Sequence, residues 1–245
     1  MTAIGVIPAR FASTRFPAKV LAKLAGKPMI WHVWEKASRC RQLDEVLIAC
    51  DHPQVLKAAN DFGAKAVMTD PGLASGSDRI AQAVKESAFD LVVNIQGDEP
   101  FIDPQAIDDL VVLLKNDAHS PMGTVIKEIE NEQDFINPNV VKCVVDEQGF
   151  ALYFSRAPVP YNRNAKALPG MKRYKHLGIY AFRREFLLQY TGWPKSILEI
   201  TEQLEQLRVL EKGYRIKTVV TQHDSMAIDT PEDLQRAEEW AKRSN

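Results

Sequence analysis

Residues 4–19 read IGVIPARFASTRFPAK. Four residues of strand length, Ile4-Gly5-Val6-Ile7, run straight into a loop, residues 8–19, that carries Arg10, Arg15 and Lys19. A buried strand that delivers a cationic loop from its carboxyl end is how open α/β sheets present ligand-binding groups. The rest of the first half keeps this rhythm. Apolar periodicity predicts strands over 4–8, 45–50, 65–68 and 91–95, alternating with helices over 29–38, 53–61, 77–85 and 104–115. Alternating strands and helices imply an α/β fold with a mostly parallel sheet and helices on both faces. Ligands then bind outside the carboxyl ends of the strands, which puts residues 8–19, 50–51 and 96–98 on one rim.

After residue 115 the pattern changes. Strands are predicted in close succession over 122–126, 140–145, 151–155 and 176–182. Between the last two lies VPYNRNAKALPGMKRYK, residues 159–175, a loop rich in Pro, Asn and Lys that suits a cover over a substrate. Helices over 183–190 and 200–212, a strand over 216–221 and a closing helix over 231–243 complete the chain. Thr230-Pro231-Glu232-Asp233 is a helix start, with a Thr N-cap, Pro at the first position and acids in the first turn. The expected whole is one α/β domain with an inserted mixed-sheet subdomain.

Composition narrows the function. A chain of 245 residues with 45% hydrophobic and 26% charged residues reads as an ordinary soluble globular protein. Lys+Arg 31 against Asp+Glu 32 gives no global basic field, so nucleic acid is not the expected partner. No basic segment leads into an apolar signal core, and no apolar run approaches ~18 residues, so neither export nor membrane spanning is expected. Cys40, Cys50 and Cys143 form no CxxC and fit reduced thiols in a cytoplasm.

The loop after the first strand is neither GxxxxGK[ST] nor GxGxxG. Its cations, the Ser13 and Thr14 hydroxyls and its backbone amides suit a polyphosphate, or else form a solvated basic loop. Asp98 in NIQGDEP and Asp229 in AIDTPEDL each follow a strand end. Each reads either as a turn or helix-start residue or as a ligand of Mg²⁺, which takes one or two carboxylates plus substrate phosphates. Ser75-Gly76-Ser77-Asp78-Arg79 is either an N-cap with an ion-paired arginine or a nucleoside-binding segment. Arg156, Arg163, Lys175 and His176 suit an anionic second substrate, although His176 also reads as a satisfied, partly buried histidine. Glu205 and Gln206 sit within the helix predicted over 200–212 and, on pattern alone, are surface polar residues.

PARFASTRFPAK, GKPMIWHVWEKA, SGSDR, NIQGDEP, NPNVVK, ALYFSRAPVP, KHLGIYAF, LEQLRVLEKG and DTPEDL occur in this order over residues 8–234. In this the chain resembles the 3-deoxy-manno-octulosonate (Kdo) cytidylyltransferases, the CMP-Kdo synthetases of lipopolysaccharide biosynthesis. NIQGDEP marks the wider sugar nucleotidyltransferases, whereas ALYFSRAPVP, KHLGIYAF and LEQLRVLE mark this family. The resemblance implies a Rossmann-like α/β fold and Mg²⁺-dependent transfer of CMP from CTP to the anomeric hydroxyl of Kdo in a cytoplasmic homodimer. Residues 1–118 would be the nucleotide-binding half, 119–213 the sugar-binding and dimerisation subdomain, and 214–245 a closing strand and helix. Carried over by motif, Arg10, Ser13, Arg15 and Lys19 would bind the triphosphate, and Pro8, Ala9, Ser75, Arg79 and Gln96 would help hold the nucleotide. Asp98 and Asp229 would hold magnesium. Arg163, His176, Tyr180, Glu205 and Gln206 would line the sugar site. Arg15, Lys19, Asp98 and Asp229 would carry the catalysis. The family's PGKP is Pro17-Ala18-Lys19-Val20 here, Gly72-Leu73-Ala74 replaces a histidine-bearing segment, and Ser77 stands for Thr. Since Ala takes a positive φ less freely than Gly, the loop is expected to sit differently. Alternative substrates are 8-amino-Kdo or a sialic acid. A non-catalytic nucleotide or sugar sensor is the alternative from another class.

Overall fold

A computed structural model describes residues 1–12, 16–163 and 170–243. The chain opens with β1 (Ala3–Ala9), in which every residue but Pro8 is buried. A single 3₁₀ turn follows at Lys19–Leu21, then a hairpin of β2 (Lys23–Leu24) and β3 (Lys27–Pro28) that the periodicity did not predict. Its two-residue turn has Ala25 and Gly26 at φ 47° and 81°, the paired positive values that match strand twist in such turns. Then come α1 (Met29–Ala37), β4 (Glu45–Cys50), α2 (Pro53–Asp61), β5 (Lys65–Met68), α3 (Gly76–Val84), β6 (Leu91–Asn94) and α4 (Pro104–Asn116). The second half holds β7 (Met122–Glu128), α5 (Glu132–Ile136), β8 (Lys142–Val145), β9 (Ala151–Ser155), β10 (Tyr174–Arg183), α6 (Arg184–Thr191), α7 (Ile197–Glu202), α8 (Leu207–Glu211), β11 (Ile216–Thr221) and α9 (Pro231–Arg243).

One sheet runs in the order β11-β7-β10-β6-β1-β4-β5, with β8 and β9 branching from β10. β1 pairs in parallel with β4 on one side and β6 on the other, and β5 and β11 pair in parallel with β4 and β7. β10 runs against both of its neighbours. One core lies under α1, α2 and α4, and another, on the opposite face, under α3, α6 and α8. Burial on both faces explains why β6 reads LVVN with no polar alternation.

β10 is the hinge of the design. Its second half pairs with β6 and its first residues with β8, so the sheet forks where β6 ends. Between His176 and Tyr180 its register against β7 slips, and Gly178 takes φ 70° at the slip. The fork leaves an opening beside the carboxyl end of β6. The helix predicted over 200–212 is broken there into α7 and α8. Gln203 turns left-handed (φ 52°), and the Arg156 guanidinium caps the exposed end of α7 by donating to the Glu202 and Gln203 carbonyls at 2.7 and 3.4 Å.

Candidate active site

The carboxyl ends of β1 and β6 meet at close range. A side chain on Gly97 would approach the Pro8 carbonyl to 2.7 Å, so only glycine lets these two segments touch. Between them and the start of α3 lies a cleft of about 350 Å³. Pro8, Arg10, Ala12, Lys19 and Val20 line one wall, Leu73–Gly76 and Arg79 another, and Gln96, Gly97, Asp98 and Asp229 the rest.

Lys19 lies where the two acids meet. Its Nζ donates to Asp98 Oδ2 at 2.6 Å and to Asp229 Oδ1 at 2.9 Å. Burial alone would lower the Lys19 pKa, but the two carboxylates more than offset it and hold it above the usual lysine value. The loop reaches this position because Ala18, ahead of the 3₁₀ turn, takes the left-handed conformation (φ 53°, ψ 29°) in spite of its Cβ. Two features fix the acids. The Asp98 carbonyl accepts from the Ile228 amide at 2.9 Å, joining the two acid-bearing segments. Asp233, in the first turn of α9, accepts from the Asp229 and Thr230 amides at 3.0 Å each.

Next along the chain, Glu99 is buried and accepts from Ser225 Oγ at 2.7 Å. Burial, and then the charges of Asp98 and Asp229, push its carboxyl up to about 8. Sequence pattern gave no sign of this group, because Glu99 there reads only as the residue before Pro100.

The N-cap and ion-pair reading of Ser75–Arg79 holds. Ser75 caps α3 in a reciprocal box with Asp78, and Ser75 and Arg79 also line the cleft. Arg79 is 2% exposed and donates to Asp51 Oδ2 at 3.0 Å and to Thr69 Oγ1. Asp51 Oδ1 in turn accepts the Phe11 amide at 2.8 Å, and the Phe11 ring stacks on His52 at 3.9 Å. Arg79 therefore anchors the base of the cationic loop from inside the protein. Arg10 faces the cleft; Ser13 and Arg15 lie outside the described residues.

A second polar group lies at the fork. Tyr180 donates its hydroxyl to Gln206 Oε1 at 3.0 Å, and its ring lies 5.2 Å from that of His176. Thr124 donates to the Ile179 carbonyl at 2.7 Å, so it accepts from His176 Nε2 at 2.8 Å. Desolvation depresses the His176 pKa to about 3, which leaves a neutral ring at physiological pH. Glu205 and Gln206 occupy the break between α7 and α8 rather than a helix surface, and burial raises the Glu205 pKa. The grouping of Arg156 and Lys175 with this site is corrected. Arg156 is spent on the carbonyls of Pro138, Glu202 and Gln203, and Lys175 on Asp134 and Asp224. Arg163 is exposed in a turn.

The family model described as "Cytidylyltransferase" matches residues 4–217. A 3-deoxy-manno-octulosonate cytidylyltransferase of Solibacter usitatus is 48% identical over 98% of this chain and 95% of its own length. The chain belongs to the 3-deoxy-manno-octulosonate cytidylyltransferase family. A second member, from Thermodesulfovibrio yellowstonii, is also 48% identical, over 97% of each chain. Among solved structures, a CMP:2-keto-3-deoxy-manno-octonic acid synthetase complexed with CTP superposes with a TM-score of 0.94 at 38% identity, covering both chains completely. Membership makes the protein a nucleotidyltransferase. For a cytidylyltransferase, the joined acids fit a hard divalent cation. Two carboxylates converge on the Lys19 ammonium, and a pair of carboxylates completed by substrate phosphates is the donor set such a cation takes. Among the described residues no cluster of three or more His, Cys, Asp or Glu offers a site built from protein alone. No helix among them is long and apolar enough to cross a membrane.

Proposed function

We infer that this cytidylyltransferase transfers CMP from CTP to the anomeric hydroxyl of Kdo, releasing pyrophosphate and giving CMP-Kdo for lipopolysaccharide biosynthesis. The observation that carries the reading is Lys19 bridging Asp98 and Asp229 on the floor of the cleft. Beside it, the fork of β10 holds the Tyr180–Gln206 polar group. The sugar hydroxyl attacks the α-phosphorus; its bond to phosphorus forms as the bond to pyrophosphate breaks. Such displacement depends on alignment and charge stabilisation more than on covalent catalysis.

Arg10, Ser13, Arg15 and Lys19 hold the triphosphate, and Arg15 and Lys19 stabilise the departing pyrophosphate. Pro8, Ala9, Ser75, Arg79 and Gln96 help hold the nucleotide, with Arg79 acting through Asp51 on the loop. Asp98 and Asp229 hold Mg²⁺, which when bound supplies charge neutralisation and polarisation at the α-phosphate. Arg163, His176, Tyr180, Glu205 and Gln206 take the sugar. With its ring neutral, His176 contributes a hydrogen bond to this site and not a charge.

The protein works as a homodimer joined through residues 119–213. What supports this is the exposure of Leu152 on β9 and of Ile197 and Ile200 on α7, 58, 76 and 61% respectively, on neighbouring elements. We place the enzyme in the cytoplasm, which supplies CTP and keeps the free thiols of Cys40, Cys50 and Cys143 reduced. Pyrophosphate release with CTP, Mg²⁺ and a panel of ulosonic acids tests the activity. Kdo is expected to show the highest kcat/KM. Asp98→Ala and Asp229→Ala are each expected to lower kcat by about 100-fold or more with unchanged circular dichroism. Near wild-type release by either variant overturns the metal assignment.

A further inference from the structure

Among the described residues, three side-chain atoms at the fork are buried without a hydrogen-bond partner: Asn94 Oδ1, Gln206 Nε2 and Glu205 Oε1, the last paired at 3.9 Å with the Arg208 guanidinium. They belong to one neighbourhood. Asn94 stands directly opposite Tyr180 in the antiparallel pairing of β6 with β10, so the two side chains share a face of the sheet. Tyr180 holds Gln206 by its amide oxygen, which leaves the Gln206 amide nitrogen as the unmatched end. Glu205 is the next residue. The neighbourhood adjoins the nucleotide cleft at two points. Gln96, two residues beyond Asn94, lines the cleft and donates to the Gly178 carbonyl at 3.1 Å. Ser77, just past the cleft residues Ser75 and Gly76, lies beside the Glu205 carboxyl and partly offsets the rise that burial gives its pKa.

An unmatched buried polar group costs stability, and native interiors leave few of them. Asn94 and Gln206 are each 2% exposed. Asn94 interrupts the apolar run of LVVNI on the face where Val92 packs into the core, a position at which an aliphatic residue would bury without cost. The two unmatched atoms are also complementary. Asn94 Oδ1 accepts only and Gln206 Nε2 donates only. A hydroxyl, which both donates and accepts, satisfies the two at once. A carboxylate would meet the Asn94 oxygen with charge against a lone pair, and an ammonium has nothing to accept the Gln206 proton.

We propose that Asn94 is a specificity-determining residue that, with Gln206, reads a neutral hydroxyl of the sugar. The assignment rests on the acid-sugar reading given above and adds a residue to it. The structure predicts a result that a framework role would not. In Asn94→Leu, of nearly the same shape, kcat/KM for Kdo falls at least about tenfold, the KM for CTP stays within twofold, and the melting temperature is unchanged or raised. Kdo raises the melting temperature of the wild type and fails to do so in the variant, a readout independent of turnover. A variant whose melting temperature falls by several degrees overturns the proposal, because the oxygen then has a partner in the fold. So does a variant that keeps its kcat/KM for Kdo. Wild-type turnover of CTP with Kdo, measured alongside, separates the two readings. Its absence overturns the activity itself, whereas turnover shared equally by Asn94→Leu overturns only the assignment of Asn94.

Discussion

His176 shows how one residue's surroundings fix its chemistry. Its Nε2 donates to Thr124, and the rings of Phe154 and Tyr180 flank it at 5.0 and 5.2 Å. Desolvation lowers its pKa from 6.5 to about 3. Between those two values the unfolded chain binds a proton that the folded protein does not. Stability is therefore complete above about pH 6.5 and falls as pH drops toward 3. Replacing His176 by Gln should flatten this acid limb. Urea unfolding at pH 7.5 and pH 5 should show the wild type losing roughly 1–2 kcal/mol more than His176→Gln between the two conditions. Equal losses would mean that the ring is already charged in the folded state. The partly buried, satisfied histidine was legible in KHLGIYAF, but its tautomer was not, since that is set by Thr124 on β7, distant in sequence.

Elements show where sequence reading succeeds and why it stops. Strands 45–50, 65–68, 151–155 and 216–221 and helix 53–61 have the bounds their periodicity predicts, because each buries a face fixed by its own residues. The loop after β1 and Asp98 after β6 were likewise legible, each following a strand end, whereas Asp229, expected at a strand end, lies in the coil between β11 and α9. The break between α7 and α8 was not. Residues 200–212 have a continuous helical pattern, and what interrupts them is Arg156, 46 residues before Glu202, which caps α7 through long-range bonds. Gln203 can then turn left-handed and swing Glu205 and Gln206 to the fork. The contact of Lys19 with Asp98 and Asp229 was hidden for the same reason, as was the place of Asn94 within an apolar run. Arg156→Met tests the break. It should cost about 2 kcal/mol in denaturant unfolding, from carbonyls left uncapped, and raise the KM for Kdo several-fold without moving the KM for CTP. A matching rise in the CTP value would show that the break serves the whole cleft and not the sugar side.

At the scale of the whole molecule, the cleft is closed by two segments far apart in sequence, one carrying Lys19 and the other Asp229. The main cores lie on the two faces of the sheet, but a third, small cluster of Leu24, Met29, Ile228 and Ala237 ties α9 to the β2–β3 hairpin. Phe101 and Trp240 pack at 4.4 Å alongside it, and Glu238 accepts from the Ala25 amide at 2.7 Å. Asp229 immediately precedes α9 and is held by its first turn, while Lys19 immediately precedes the hairpin region. The separation of Lys19 from Asp229 thus depends on a core that neither sheet face shares. A charge placed in it should uncouple function from folding. In Ala237→Arg, at a fully buried position, α9 should be displaced while the two main cores persist. Pyrophosphate release should fall at least about tenfold, with little change in far-ultraviolet circular dichroism and faster amide exchange confined to α9 and residues 226–230. If exchange accelerates across α9 and activity stays within twofold, the docking of that helix does not set the position of Asp229. If exchange accelerates throughout the sheet, the third core is part of the global fold, and the site and the scaffold cannot be separated.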